Sequence, residues 1–228
     1  MTKRSLTALS LLALVAIAGA PRLAGAEDQP KPGAAPAAAA DASKGLEFDF
    51  TDMKGVNAIS FTADSTLEPI TGFGSGVGGK VTMNPADPKS LAGELTLETA
   101  KLKVSNDGMT KVMLNADWLD AEKNKEITFK IKKVADSKPG KAANSFDLTV
   151  TGDMTLHGVT KEMTVPVSAT YLAGRLGDRV RGVNGDLLVL RSNFSVKRGD
   201  FGIKPGQGVE SVADEIQIRA AIVGACKK

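Results

Sequence analysis

The chain has 228 residues, with 29 Lys+Arg against 26 Asp+Glu, 42% hydrophobic residues and only 4% aromatic ones. That length fits one domain or at most two, and the single Cys and single His exclude a disulfide framework, a haem attachment motif and a zinc site built on clustered Cys and His. Beyond the N-terminus no stretch is long and apolar enough to cross a bilayer, so no integral membrane span is expected.

The N-terminus has the pattern of a secretory signal. Lys3 and Arg4 form a basic head, Leu6 to Ala18 an apolar run too short to span a membrane, and Ala24-Gly25-Ala26 a small-residue exit that places cleavage before Glu27. No Cys lies near that site, which argues against a lipid anchor. Residues 1–26 carry three of the basic residues and no acid, so the remainder has 26 of each sign and is neutral. The basic balance therefore belongs to the signal, and nucleic acid is not an expected partner. Residues 27–44 are rich in Ala and Pro with no periodic apolar face, and read as a disordered spacer. The predicted location is periplasmic or secreted.

From Gly45 to Cys226 the dominant period is two. Phe48 and Phe50, Ile59 with Phe61 and Ala63, Leu95 and Leu97, and Ile127 with Phe129 and Ile131 all alternate with polar neighbours. The same holds for Phe146 with Leu148 and Val150, Met163 with Val165 and Val167, and Ile216 with Ile218, Ala220 and Ile222. Leu187 and Val189 mark a further strand whose alternation is blurred by Leu188 and Leu190. Alternation means one packed face and one wet face, whereas parallel sheets give continuous apolar runs. Eight or so such strands joined by short turns predict an all-β, antiparallel barrel or sandwich.

Three local features interrupt the strands. Gly74-Ser75-Gly76-Val77-Gly78-Gly79 matches a dinucleotide fingerprint, but a strand-like stretch follows it instead of a helix, so it reads as a glycine bend or bulge. Met109, Val112, Met113 and Ala116 recur at helical spacing within Asn106 to Ala121, with Asp107 and Gly108 as start signals, and predict one short helix followed by a loop carrying Trp118. Leu156-His157-Gly158-Val159 falls between two alternating runs and predicts a tight hairpin, which makes His157 a turn residue rather than a catalytic base. Asp214 and Glu215, adjacent on a strand, point to opposite faces and form no carboxylate dyad. Cys226 has no partner thiol. No catalytic residue and no metal ligand set is predicted.

Two segments, and a third more loosely, carry a family likeness. Gly152-Asp153-Met154-Thr155-Leu156-His157-Gly158-Val159-Thr160-Lys161, followed by Met163-Thr164-Val165-Pro166-Val167, resembles the "GDLTLHGVTKPV" hairpin of the YceI-like, polyisoprenoid-binding family. Ser192-Asn193-Phe194-Ser195-Val196-Lys197-Arg198-Gly199-Asp200-Phe201-Gly202-Ile203 resembles that family's "R-x-DFG" segment before the last strand, and Ala116-Asp117-Trp118-Leu119-Asp120 with Ile127-Thr128-Phe129 is similar to its "DFLD…P-x-I-x-F" stretch. The resemblance spans roughly residues 46–223. It implies an extended, eight-stranded, lipocalin-like barrel that holds a long isoprenoid chain, in exported proteins linked to isoprenoid handling and stress. The charged run "RD-x-HLR" that precedes "DFLD" in the family is absent here, where Gly108-Met109-Thr110-Lys111-Val112-Met113-Leu114 stands. Head-group contacts made by that run do not carry over.

An eight-stranded barrel is wide enough for its own side chains or for one slim ligand, and alternation alone does not decide between the two. The inward set is Phe61, Phe129, Ile131, Phe146, Leu148, Val150, Val165, Val167, Ile216 and Ile218, with Met113 and Trp118 as an adaptable cover. With the resemblance, these twelve become the expected ligand-binding residues for a small apolar amphiphile. No cofactor is expected; a polyisoprenoid or isoprenoid quinone would be the ligand. The alternatives are an exported barrel that serves as a scaffold for loop-borne interactions, and an enzyme acting on a lipid-like substrate. The oligomeric state, a dimer included, is left open.

Overall fold

The computed structural model describes residues 45–52 and 54–228. The predicted signal segment and spacer, residues 1–44, lie outside the described residues. The period-two segments form eleven antiparallel strand pieces in one sheet. These are β1 (Leu46–Asp49), β2 (Ala58–Asp64), β3 (Pro69–Gly74), β4 (Val77–Asn84), β5 (Asp87–Glu98) and β6 (Leu102–Val104), then β7 (Glu126–Pro139), β8 (Ser145–Leu156), β9 (Val159–Leu172), β10 (Gly185–Lys197) and β11 (Glu215–Lys227).

Three of the eight barrel strands are broken in two. β11 pairs with β2 through residues 217–221 and with β1 at Ala225, so β1 and β2 are one strand interrupted by the loop 50–57. β3 pairs with β2 while β4 pairs with β1, and β6 pairs with β3 while β5 pairs with β4. Counting each broken pair once closes a ring of eight: β1/β2, β3/β4, β5/β6, β7, β8, β9, β10, β11 and back to β1/β2. The fold is a closed, eight-stranded antiparallel barrel, as expected.

Local chemistry accounts for the breaks. Gly76 and Gly79, at φ of +80° and +100°, sit where β3 bends into β4, so the glycine run is the predicted bend. Between β1 and β2 the inward parity switches from Phe48 and Phe50 to Ile59, Phe61 and Ala63. The intervening turn is held by Asp52, whose carboxylate accepts from the amides of Lys54, Val56 and Asn57 and meets Arg179 Nη2 at 3.0 Å. Arg179 ends α2 (Leu176–Arg179), a one-turn helix that the sequence pattern did not predict.

The predicted helix is α1 (Asp107–Leu114), shorter than the span drawn from periodicity. Asn106, not Asp107, is its cap: the side chain accepts from the Met109 amide at 3.0 Å. Thr110 of this helix binds the free edge of β6, accepting from the Val104 amide at 3.1 Å, so the helix covers an otherwise open strand edge. The β8–β9 hairpin turns on His157 and Gly158 at φ of +52° and +73°, the two left-handed positions a two-residue turn needs.

The barrel is solid at one end. Phe48, Phe50, Val81, Met83 and Leu188 are fully buried there and pack as one cluster. Gly224 makes room for Phe50: a Cβ at 224 would stand 2.6 Å from the ring. On β10 it is Leu188 and Leu190 that face the core, while Leu187 and Val189, which marked the strand in the sequence, are buried on the other face. Both faces of that strand are covered, which is why its alternation is blurred. At the same end the fully buried Asp186 accepts from Tyr171 Oη at 2.8 Å, the Gly174 amide at 2.8 Å and Lys228 Nζ at 2.9 Å.

Candidate functional site

The other half of the barrel is hollow. A cavity of about 590 Å³ runs from a floor at Leu91, Ile131, Val150, Val165, Leu190 and Ile222 to a mouth framed by α1, Trp118 and the loop after β10. Among the described residues its lining is apolar apart from Thr96, Asn106, Thr128, Arg191, Ser192 and Arg198, and none of the lining residues is acidic. The volume lies within the ~300–1,000 Å³ of small-molecule sites.

Of the three phenylalanines that line the lumen, Phe61, Phe129 and Phe194, the first two leave it open because each ring leans on a glycine of the neighbouring strand. Phe61 on β2 lies against Gly72 on β3, and Phe129 on β7 lies against Gly152 on β8, where added Cβ atoms would stand 2.3 Å and 2.8 Å from the rings' Cζ. A side chain at either position would lift the ring off the wall and into the lumen.

Of the twelve residues expected to bind a ligand, Phe61, Met113, Trp118, Phe129, Ile131, Val150, Val165, Val167, Ile216 and Ile218 line this cavity. Phe146 and Leu148 do not, and their placement corrects the expected set. They lie at the start of β8, on the inward face but within the solid end, where Leu148 is 3% exposed and Phe146 packs against the same cluster. The inward direction was read correctly; the height along the barrel axis was not. Sequence reasoning missed Ile59, Leu97, Leu102, Met109, Met154 and Phe194 as lining residues. Ile59, Leu97 and Met109 had been placed on apolar faces, which was the available signal.

The mouth is organised by Arg198. The side chain is 3% exposed and no carboxylate among the described residues pairs with it. Its guanidinium donates to five backbone carbonyls instead: Ala213 at 3.2 Å, Ile203 at 2.8 Å, Lys204 at 2.6 Å, Gln207 at 2.5 Å and Val212 at 3.1 Å. Every N–H of the fork is used, so the loop 199–214 is wound around one buried cation. Arg198 also sits 5.4 Å from the centroid of the Trp118 ring, and Lys204 Nζ sits 5.3 Å from it. Trp118 is thereby fixed by two cations against the cavity mouth.

The remaining titratable candidates lie elsewhere. His157 Nδ1 is 3.2 Å from the Phe201 carbonyl, which ties the hairpin tip to the loop after β10, and His157 does not line the cavity. Asp214 Oδ1 accepts from the Gly199 amide at 2.8 Å. Cys226 is half-buried at the solid end, where burial, reinforced by the Asp186 charge, pushes its thiol up. Among the described residues no cluster of three His, Cys, Asp or Glu could hold a metal, and no helix is long and apolar enough to cross a membrane.

Comparison with known proteins places this architecture. A UPF0312 protein of Vibrio parahaemolyticus is 39% identical over 82 residues, 35% of this chain and 40% of that protein. A UPF0312 protein of Pseudomonas putida is 31% identical over 140 residues, 61% of this chain and 66% of that protein. The matches thus span less than two thirds of these relatives' length. Among solved structures, Burkholderia cenocepacia BcnA superposes with a TM-score of 0.57 at 23% identity, covering 73% of this chain and 95% of that one. A polyisoprenoid-binding domain from Saccharophagus degradans, implicated in plant cell wall breakdown, superposes with a TM-score of 0.56 at 10% identity, covering 80% and 99%. At such identities these structures establish a shared fold. The model of the YceI-like domain matches residues 51–224, which takes in all the barrel strands but β1 and the last residues of β11, and the chain belongs to the YceI-like domain family.

Proposed function

We propose that this protein is an exported binding protein that holds one thread-like apolar chain, a polyisoprenoid or similar amphiphile, in the hollow half of its barrel. The observation that carries this reading is the apolar cavity itself, about 590 Å³ with no acidic residue in its lining. A buried CH₂ group contributes about 0.8 kcal/mol, so a chain inserting about ten carbons gains roughly 8 kcal/mol before the cost of ordering it. The solid end closes the barrel below, so the chain enters tail first and its head group rests at the mouth beside Trp118. Membership of the YceI-like family and the polyisoprenoid-binding character of the Saccharophagus degradans domain support the ligand class. The basic head, apolar run and small-residue exit at residues 1–26 support export. The protein then acts as a carrier or reservoir, without a cofactor and without a chemical step; a quinone would be cargo.

Organic extraction of the purified protein followed by mass spectrometry tests this reading. A long apolar molecule in stoichiometric amount is the expected result. An empty extract, together with no uptake of a fluorescent isoprenoid probe from detergent micelles, would reject it.

A further inference from the structure

Five large hydrophobic side chains stand exposed among the described residues: Val56 at 60%, Leu67 at 64%, Phe73 at 50%, Val112 at 49% and Val209 at 45%. Scattered singly, such residues need no explanation. Three of them are not scattered. Leu67, Val112 and Val209 lie on three segments that meet around the cavity mouth.

Leu67 is at the tip of the β2–β3 hairpin, and its amide donates to the Glu210 carbonyl at 2.9 Å, which joins the hairpin to the loop after β10. It borders a groove with Glu68, Pro69, Ile70, Val104, Ser105 and Met109, of which Ile70, Val104 and Met109 also line the cavity. Val112 stands on α1 and itself lines the cavity while half-exposed. Val209 occupies the turn closed by the Val212 amide on the Gly208 carbonyl at 2.9 Å, and Val212 lines the cavity. The apolar surface of the lumen therefore continues over the rim and out to three exposed aliphatic tips.

We propose that this rim is a membrane-contact surface: Leu67, Val112 and Val209 enter the boundary between head groups and acyl chains of a bilayer, so that an apolar chain passes between bilayer and barrel without crossing water. Its purpose rests on the chain-binding role proposed above; the contact itself does not. The chemistry favours a lipid surface over a protein partner. The tips are aliphatic, on the β2–β3 hairpin, α1 and the loop after β10, and none of the three is an aromatic or arginine anchor of the kind that protein interfaces use. Lys204, which lies over the Trp118 ring and has no carboxylate within ion-pair distance among the described residues, and Lys111 on α1 add cationic groups to the same segments. Glu68, Asp107 and Glu210 lie on the same segments, so the contact is driven by apolar burial and is only weakly sensitive to salt.

The test is flotation of the purified protein with vesicles of equal parts phosphatidylcholine and phosphatidylglycerol. The wild type is expected to float. The triple variant Leu67→Ser/Val112→Ser/Val209→Ser is expected to partition at least ~10-fold less, since each substitution withdraws an aliphatic side chain from the bilayer. Val56→Ser, on the loop between β1 and β2, should float like the wild type. The three rim sites are exposed, and a circular-dichroism melt checks that the variant folds; should it not, Val209→Ser alone is expected to lower partitioning by roughly threefold. A wild type that ignores vesicles, a triple variant that floats unchanged, or a rim buried in a stable self-associated form would each overturn the proposal. Loading from detergent micelles, measured alongside, separates the two readings. Lost flotation with loading intact rejects the surface alone, and flotation without loading rejects chain binding alone.

Discussion

Phe61 and Gly72 face one another across β2 and β3, and a Cβ at residue 72 would stand 2.3 Å from the Phe61 Cζ and 2.5 Å from the Lys103 carbonyl oxygen. Gly72→Ala should therefore push the ring toward the lumen and strain the β3–β6 pairing. The expected cost is about 1–3 kcal/mol of stability, typical of overpacking, together with reduced uptake of a long-chain probe. Gly72→Ala/Phe61→Leu should recover part of the uptake. Thermal melts and probe titrations on the same samples check both effects; uptake unchanged in Gly72→Ala would show that the ring does not govern the lumen.

Arg198 is expected to be the residue on which the mouth depends most. Arg198→Met removes all five donors from carbonyls that the loop 199–214 turns inward. Each carbonyl left buried and unpaired costs about 1–3 kcal/mol, more than the loop can sustain, so it should open locally while the solid end stays folded. Hydrogen exchange should rise in residues 199–214 and stay slow around Val81 and Leu188. Trp118 fluorescence should shift as one of its two cations is lost.

Acid should weaken the solid end through Asp186. Burial raises its carboxyl, but the Lys228 ammonium, the Gly174 amide and the Tyr171 hydroxyl outweigh that and hold it below its ordinary value of 3.8. A carboxyl depressed in the folded state stabilises fully above its unfolded value, and that contribution is lost as pH falls through the folded one. Asp186→Asn should thus cost about 1–3 kcal/mol at neutral pH, and the gap between wild type and variant should narrow as pH drops below 3.8. Urea melts across that range measure it; a gap constant down to strong acid would contradict the assignment.

The hairpin tip predicts a contrast between neighbours. His157 holds φ of +52° and Gly158 +73°. Asn tolerates the left-handed region, so His157→Asn should leave stability and ligand uptake nearly unchanged. Gly158→Ala should cost about 1–2 kcal/mol. A large loss of ligand uptake in His157→Asn would show a role for the imidazole beyond the turn.

Much of this was readable from the residues. Alternation located the barrel strands except β3/β4, whose glycine bend hid it, and counted the broken β1/β2 as two strands; the paired runs on either side of His157 and Gly158 fixed that hairpin. What alternation does not encode is height along the barrel axis. Phe146 and Val150 obey the same parity, yet one packs in the solid end and the other lines the cavity. Nor does it encode hollowness, which here depends on Gly72 and Gly152 standing beside phenylalanines from other strands. Those glycines come from strands whose pairing the sequence does not print. Leu187 to Leu190 gave no clear parity because both faces of β10 are covered. Asp186 gave no signal because its partners, Tyr171, Gly174 and Lys228, meet it only in three dimensions.

The plug of Phe48, Phe50 and Met83 divides the barrel's labour. Packing is densest in the plug and the cavity lies above it, so the pouch can be reshaped from its mouth without drawing on the residues that pack the closed end. Trimming the plug one side chain at a time would deepen the well, and the longest tail it accepts would be set by where that trimming stops.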